Sequence, residues 1–233
     1  MKKSHRITAY ALLFLLIASP IINSHSSDPI RKEQTIVLVV GFGPFLNFSV
    51  NPSEFIAKKL DNETISGAKI IGLPVMPNLS NFTESIELVY QAIETYNPNY
   101  VFSIGLAAPY DEIRIEKVGI NLKMETGENS KLEKLIPRDR WLRISPLPGI
   151  KIVRNLRKEN IPSQVSIYAG LSLCNGMLFS VLHYVCKNNL EIKSGFIHVP
   201  LHKTEENPDG MELDTMVNAT RIIIKTCINH FSR

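Results

Sequence analysis

Thr35 to Val40 reads TIVLVV, an unbroken apolar, β-branched run closed by Gly41. A half-exposed strand would alternate apolar with polar residues, so this one is buried on both faces. Such a strand needs helices above and below its sheet, and the rest of the chain supplies both kinds of element. Ala68 to Leu73 (AKIIGL), Tyr100 to Ile104 (YVFSI), Ile113 to Leu122, Gln164 to Tyr168 and Gly195 to Val199 read as extended segments. A helix opens at Asn51-Pro52-Ser53-Glu54, with Asn51 as N-cap, Pro52 at the first helical position and Glu54 at the capping-box position. Another covers Ser80 to Tyr96, where Ile86, Val89, Tyr90 and Ile93 recur at helical spacing before Asn97-Pro98. Further helices fall around Ile150 to Lys158, Asn175 to Lys187 and Met211 to His230. Residues 123–148, polar and charged with Pro137, Pro146 and Pro148, read as a long loop. The expected architecture is a single α/β domain, a three-layer α/β/α sandwich with a largely parallel, twisted central sheet.

The composition agrees with one such domain. The chain has 233 residues, 44% apolar and 21% charged, with 12 Gly, 14 Pro and 3 Cys. That is enough for a sizeable core, and it excludes disorder, collagen-like repeats and a disulfide-dense scaffold. The net charge of +4 is concentrated at one end: Lys2, Lys3 and Arg6 precede residue 27 and no acid does, leaving 23 basic and 22 acidic side chains beyond. Those basic residues are scattered among acids without interleaved aromatics, a pattern that gives nucleic-acid binding no support.

Lys2, Lys3 and Arg6 stand before an apolar run from Ile7 to Ile22 that contains Pro20. The run falls short of the roughly 20 residues a membrane-spanning helix needs. Residues 1–26 have the layout of a secretory signal peptide ending near Ser24 and Ser26, or of an uncleaved N-terminal anchor. Either reading puts residues 27–233 outside the cytoplasm, and the membrane is a partner only under the second. Sequons at Asn47, Asn62, Asn78, Asn81 and Asn218 agree with export. In an oxidising milieu three cysteines leave at least one thiol unpaired.

Cys174 follows a strand and the turn Ala169-Gly170-Leu171-Ser172, at the start of a helix, where free N–H groups and the macrodipole favour a thiolate and can hold an oxyanion. Cys186 and Cys227 lie among apolar neighbours in helical stretches, as buried core residues or as a disulfide pair. His198 stands at the C-terminal end of a strand, where α/β sheets place catalytic groups. His183 reads as helix packing and His230 as a solvated terminal residue. A metal site from Cys174, His198 and His202 lacks the CxxC or HExxH spacing. Gly41-Phe42-Gly43 lacks the third glycine of a dinucleotide turn, with Leu46 in its place. No cofactor is expected.

With those residues in view, the chain resembles the pyroglutamyl peptidase I, or pyrrolidone carboxyl peptidase, family of cysteine peptidases. Four blocks carry the resemblance in order: Gly41-Phe42-Gly43-Pro44-Phe45 with Asn51-Pro52-Ser53, then Ile115 to Asn121, then Tyr168-Ala169-Gly170 through Cys174-Asn175, then Gly195 to Pro200. The resemblance implies a triad of Cys174, His198 and Glu116, a lactam pocket lined by Phe42, Phe45 and Leu173, a peptide substrate with N-terminal pyroglutamate, and a homo-oligomer. Glu116 comes from the resemblance alone; by itself it is an ordinary strand carboxylate. Three places depart from the family pattern: Leu46-Asn47 stands for Gly-Gly, Ala108-Pro109-Tyr110 for Gly-Gly-Arg, and Thr126 for an arginine of the oxyanion site. A homologue that keeps the pocket as a peptide-binding module without turnover is the alternative reading.

Overall fold

The computed structural model describes residues 34–77, 82–124 and 131–232, to which every structural statement below refers. The leader, Asn78, Asn81 and Thr126 lie outside them. Strands β1 (Ile36–Phe42), β2 (Thr64–Ile65), β3 (Ala68–Val75), β4 (Tyr100–Leu106), β5 (Ile113–Glu116), β10 (Ser163–Ser166) and β11 (Lys193–Val199) form one sheet. Their order is β10-β5-β11-β4-β1-β3-β2. The central four, β11, β4, β1 and β3, run parallel, while β5 runs antiparallel to β11 and β10 follows β5. Two short ribbons join β6 (Val118–Ile120) to β9 (Leu142–Ile144) and β7 (Lys123–Met124) to β8 (Leu132–Glu133). The stretch expected as a long loop is therefore partly ordered by strand pairing.

The helices are α1 (Pro52–Leu60), α2 (Phe82–Tyr96), α3 (Gly149–Lys158), α4 (Leu173–Lys187) and α5 (Leu213–Phe231). Strand alternation divides the core between them. Val37 and Val39 point into one layer with Ile56, Leu60, Ile152, Leu156, Ile223 and Ile224 of α1, α3 and α5. Leu38 and Val40 point into the other with Val89, Ile93, Met177 and Val181 of α2 and α4. This is the expected α/β/α sandwich, and it explains the unbroken apolar run of β1: both faces are covered. Among the described residues no helix is long and apolar enough to cross a membrane.

Asn51 caps α1 as expected, accepting from the Ser53 N–H at 3.2 Å, with Pro52 at the first helical position. Glu54 does not complete a capping box; its carboxylate pairs with Lys58 one turn on. The Asn51 amide instead donates to the Gly43 carbonyl at 3.0 Å, and the Ser53 hydroxyl accepts from the Phe42 N–H at 3.0 Å. These bonds bring the end of β1 so close to α1 that a Cβ on Gly41 would stand 2.0 Å from the Ser53 carbonyl oxygen. Only glycine fits there, and the turn carrying Phe42 and Phe45 is thereby fixed.

Candidate active site

Helix α4 begins two residues earlier than expected, which places Cys174 inside its first turn. Ser172 is the N-cap, but its hydroxyl makes no capping bond, and the helical ladder starts with the Gly176 N–H donating to the Ser172 carbonyl at 2.9 Å. The N–H groups of Leu173, Cys174 and Asn175 precede that ladder and are open to an anion. Asn175, fully buried, fastens this end of the helix: its oxygen accepts from the Ile120 N–H, and its amide donates to the Ile120 and Leu122 carbonyls, all at 2.8 Å. Nothing in the local sequence marks Asn175 as the residue that holds α4 against β6.

His198 is the penultimate residue of β11, and its register partners are Gly105 on β4 and Arg114 on β5. Glu116 closes β5 opposite Phe196, two residues from His198, so Glu116 and His198 share a sheet face. The imidazole Nδ1 lies 2.9 Å from Glu116 Oε1, and the carboxylate is fully buried. A carboxylate can only accept here, so Nδ1 carries the proton and the Nε2 edge is left for Cys174. Burial opposes charge on the ring. The neighbouring Cys174, through charge and a hydrogen bond, and then Glu116 outweigh it and lift the His198 pKa to about 9. Cys174, His198 and Glu116 thus come together, although Glu116 and His198 stand 82 positions apart.

Beside Cys174 is a small cavity of about 100 Å³. Phe42, Phe45 and Leu173 all line it, together with Cys174, Pro77 and Leu106. Phe42 stacks on Phe196 with centroids 6.4 Å apart, and Phe45 is held against Phe48 by a reciprocal pair of backbone bonds. Leu46, in the same turn, adopts a φ of +48°, the left-handed region that favours glycine.

The remaining histidines and cysteines lie elsewhere. His183 does not simply pack in its helix: Nδ1 sits 2.7 Å from Asp139 Oδ2, and Arg143 grips the same carboxylate at 2.7 to 3.0 Å. Although burial opposes it, that grip holds the Asp139 pKa down at about 2. His202 bridges to Met211, and His230 stands edge-on to Phe231. No group of three metal-ligating side chains occurs among the described residues. Cys186 is exposed, contrary to its apolar sequence neighbours, while Cys227 is buried and its thiol is pushed up to about 12 by that burial. They belong to α4 and α5, which cover opposite faces of the sheet, and all three cysteines are free thiols. The disulfide left open by the sequence is not formed.

A thiol at a helix N-terminus, backed by a buried histidine and carboxylate on an α/β sheet, is the equipment of a thiol-dependent acyl-transfer enzyme. The sequence pattern of the pyroglutamyl peptidase family matches residues 35–230. The chain is 33% identical over 204 residues to pyrrolidone-carboxylate peptidase 2 of Caldanaerobacter subterraneus, covering 82% of this chain and 97% of the relative. It is 36% identical over 201 residues to the pyrrolidone-carboxylate peptidase of Brachyspira hyodysenteriae, covering 82% and 98%. The pyrrolidone carboxyl peptidase of Thermococcus litoralis superposes with a TM-score of 0.76 at 27% identity, over 85% of this chain and 95% of that one. Pyroglutamyl peptidase I of Bacillus amyloliquefaciens gives 0.75 at 28% identity, over 83% and 95%. The chain belongs to the pyroglutamyl peptidase family.

Proposed function

We propose that this protein is a cysteine peptidase that removes N-terminal pyroglutamate from peptides, with Cys174 as nucleophile, His198 as acid and base, and Glu116 orienting the imidazole. The observation that carries the reading is the 2.9 Å contact between His198 Nδ1 and Glu116 Oε1, behind a thiol in the first turn of α4. The Cys174 thiolate attacks the pyroglutamyl carbonyl and forms the C–S bond. Charge on the carbonyl oxygen falls to the free N–H groups of the helix start. His198 Nε2–H protonates the leaving amine as the C–N bond breaks. Water, losing a proton to His198, then cleaves the thioester and releases pyroglutamate and the thiol. Phe42, Phe45 and Leu173 form the walls against the flat lactam ring, and a cavity of about 100 Å³ suits a ring of that size.

Turnover of a pyroglutamyl-amide substrate by the wild-type protein and its loss in Cys174→Ala are the expected results. Absence of wild-type turnover, or turnover unchanged in the variant, overturns the reading. Binding of pyroglutamyl peptides without cleavage would favour a silent peptide-binding homologue.

We also infer export, on the basic residues and apolar run of segment 1–26 and on the sequons. N-terminal sequencing of the protein recovered from outside the producing cell tests it: a start near Ser27 is expected, and recovery solely from the cytosol with an intact N-terminus overturns it. Homo-oligomer formation has the support of the exposed apolar side chains Trp141, Leu142 and Ile144, and sedimentation reads it directly.

A further inference from the structure

The buried carboxylate of Glu116 spends Oε1 on His198, while Oε2 has no hydrogen-bond partner. A buried carboxylate oxygen without a hydrogen-bond partner is costly unless a cation faces it. The facing cation is Arg114. Its Nε is also buried without a hydrogen-bond partner and lies 3.9 Å from Glu116 Oε1. A shift of about an ångström would bring that contact to hydrogen-bond length.

The guanidinium is held from three other sides. Its Cζ lies over the Tyr110 ring, 3.8 Å from the centroid, Nη1 reaches Glu112 Oε1 at 3.3 Å, and Nη2 reaches the Ser166 hydroxyl at 3.3 Å. Glu112 in turn accepts from the Gln164 amide. Residues 112, 114 and 116 alternate onto one face of the chain, with Ser166 in register beside Glu116 on β10. The charged and titratable groups meeting at this point are Glu112, Arg114, Glu116 and Tyr110 from β5 and the turn before it, His198 from β11 and Cys174 from α4. Lys117, next in the chain, is engaged elsewhere, donating to the Ser145 and Leu147 carbonyls.

We infer that Arg114 is a positioning residue: held by Tyr110, Glu112 and Ser166, it sets a countercharge against the Glu116 carboxylate and so fixes that carboxylate behind His198. The result is a succession of alternating acidic and basic groups from Glu112 through Arg114, Glu116 and His198 to Cys174. Tyr110, which departs from the family's Gly-Gly-Arg turn, thereby gains a use as the platform on which Arg114 is stacked.

This inference rests on the triad reading, and its test includes a readout that does not require peptidase turnover. The rate of Cys174 alkylation by iodoacetamide is followed against pH in the wild type, Arg114→Gln and Arg114→Lys, alongside kcat and KM for a pyroglutamyl amide. In R114Q the acid limb of the alkylation profile moves up by about one pH unit, and kcat falls about tenfold with KM little changed; R114K recovers most of both. Superimposable wild-type and R114Q profiles overturn the inference, as does an R114K protein that is folded yet as impaired as R114Q. If R114Q fails to fold, Tyr110→Leu, which removes only the platform, should move the acid limb the same way by a smaller amount, and an unmoved limb overturns the inference. A wild type that alkylates as expected but turns over no pyroglutamyl amide fails the catalytic reading alone.

Discussion

Gly105 faces Cys174 at the end of β4 with no side chain between them: a Cβ there would lie 3.3 Å from the Cys174 sulfur and 2.8 Å from Cζ of Phe196. Gly105 is also the register partner of His198. The space that lets the thiol approach the imidazole is therefore made by the absence of an atom. Gly105→Ala should force Phe196 or the start of α4 to move, at a stability cost of about 1–3 kcal/mol. Its kcat/KM should fall by at least about tenfold, since misplacement by an ångström is costly in catalysis. Thermal unfolding and steady-state kinetics on the same preparation check both effects.

The raised pKa of His198 sets a pH window. The imidazolium persists to about pH 9, so under the proposed mechanism the acid form needed to protonate the leaving amine is lost above that point, and kcat/KM should decline there. The sign for folding follows from the same shift. A charge favoured in the folded state contributes stability fully present below the ordinary histidine value of 6.5, and that stability is lost as pH rises through about 9. Glu116→Gln removes one of the groups holding the charge. Its alkaline limb should move down by about one unit, and kcat should fall by about 10²-fold or more. A full pH–rate profile of both proteins is the measurement.

Asn175→Ala would leave the Ile120 N–H and the carbonyls of Ile120 and Leu122 without their partner. Orphaned groups of this kind cost about 1–3 kcal/mol each before relaxation. The expected loss is about 2–4 kcal/mol, with Cys174 alkylation slowed because the helix start is no longer pinned to β6. Denaturant unfolding separates the stability effect from the thiol effect.

Much of this fold was legible locally. The unbroken apolar run of β1, the Asn51-Pro52 helix start and the position of Cys174 near a helix start are short-range patterns, and the structure has all three. The strand read through Ile113 to Leu122 breaks at Lys117, whose side chain is drawn to the Ser145 and Leu147 carbonyls. The reversed direction of β5 and β10 was not readable, because strand direction is decided by hydrogen bonds to a neighbour distant in sequence. Cys186 misled for a related reason: its apolar sequence neighbours turn inward while it faces outward near the end of α4.

By itself the sequence determined which segments bury both faces and where helices start, and its resemblance supplied the expectation that Cys174, His198 and Glu116 act together. Only the tertiary structure decided that Arg114 stands beside Glu116, that Asn175 ties α4 to β6, and that Gly105 leaves room for the thiol. Helix and strand periods act over a few residues, so they are written in the chain. A 2.9 Å contact between residues 82 positions apart is set by the order and register of the sheet, which no local pattern encodes.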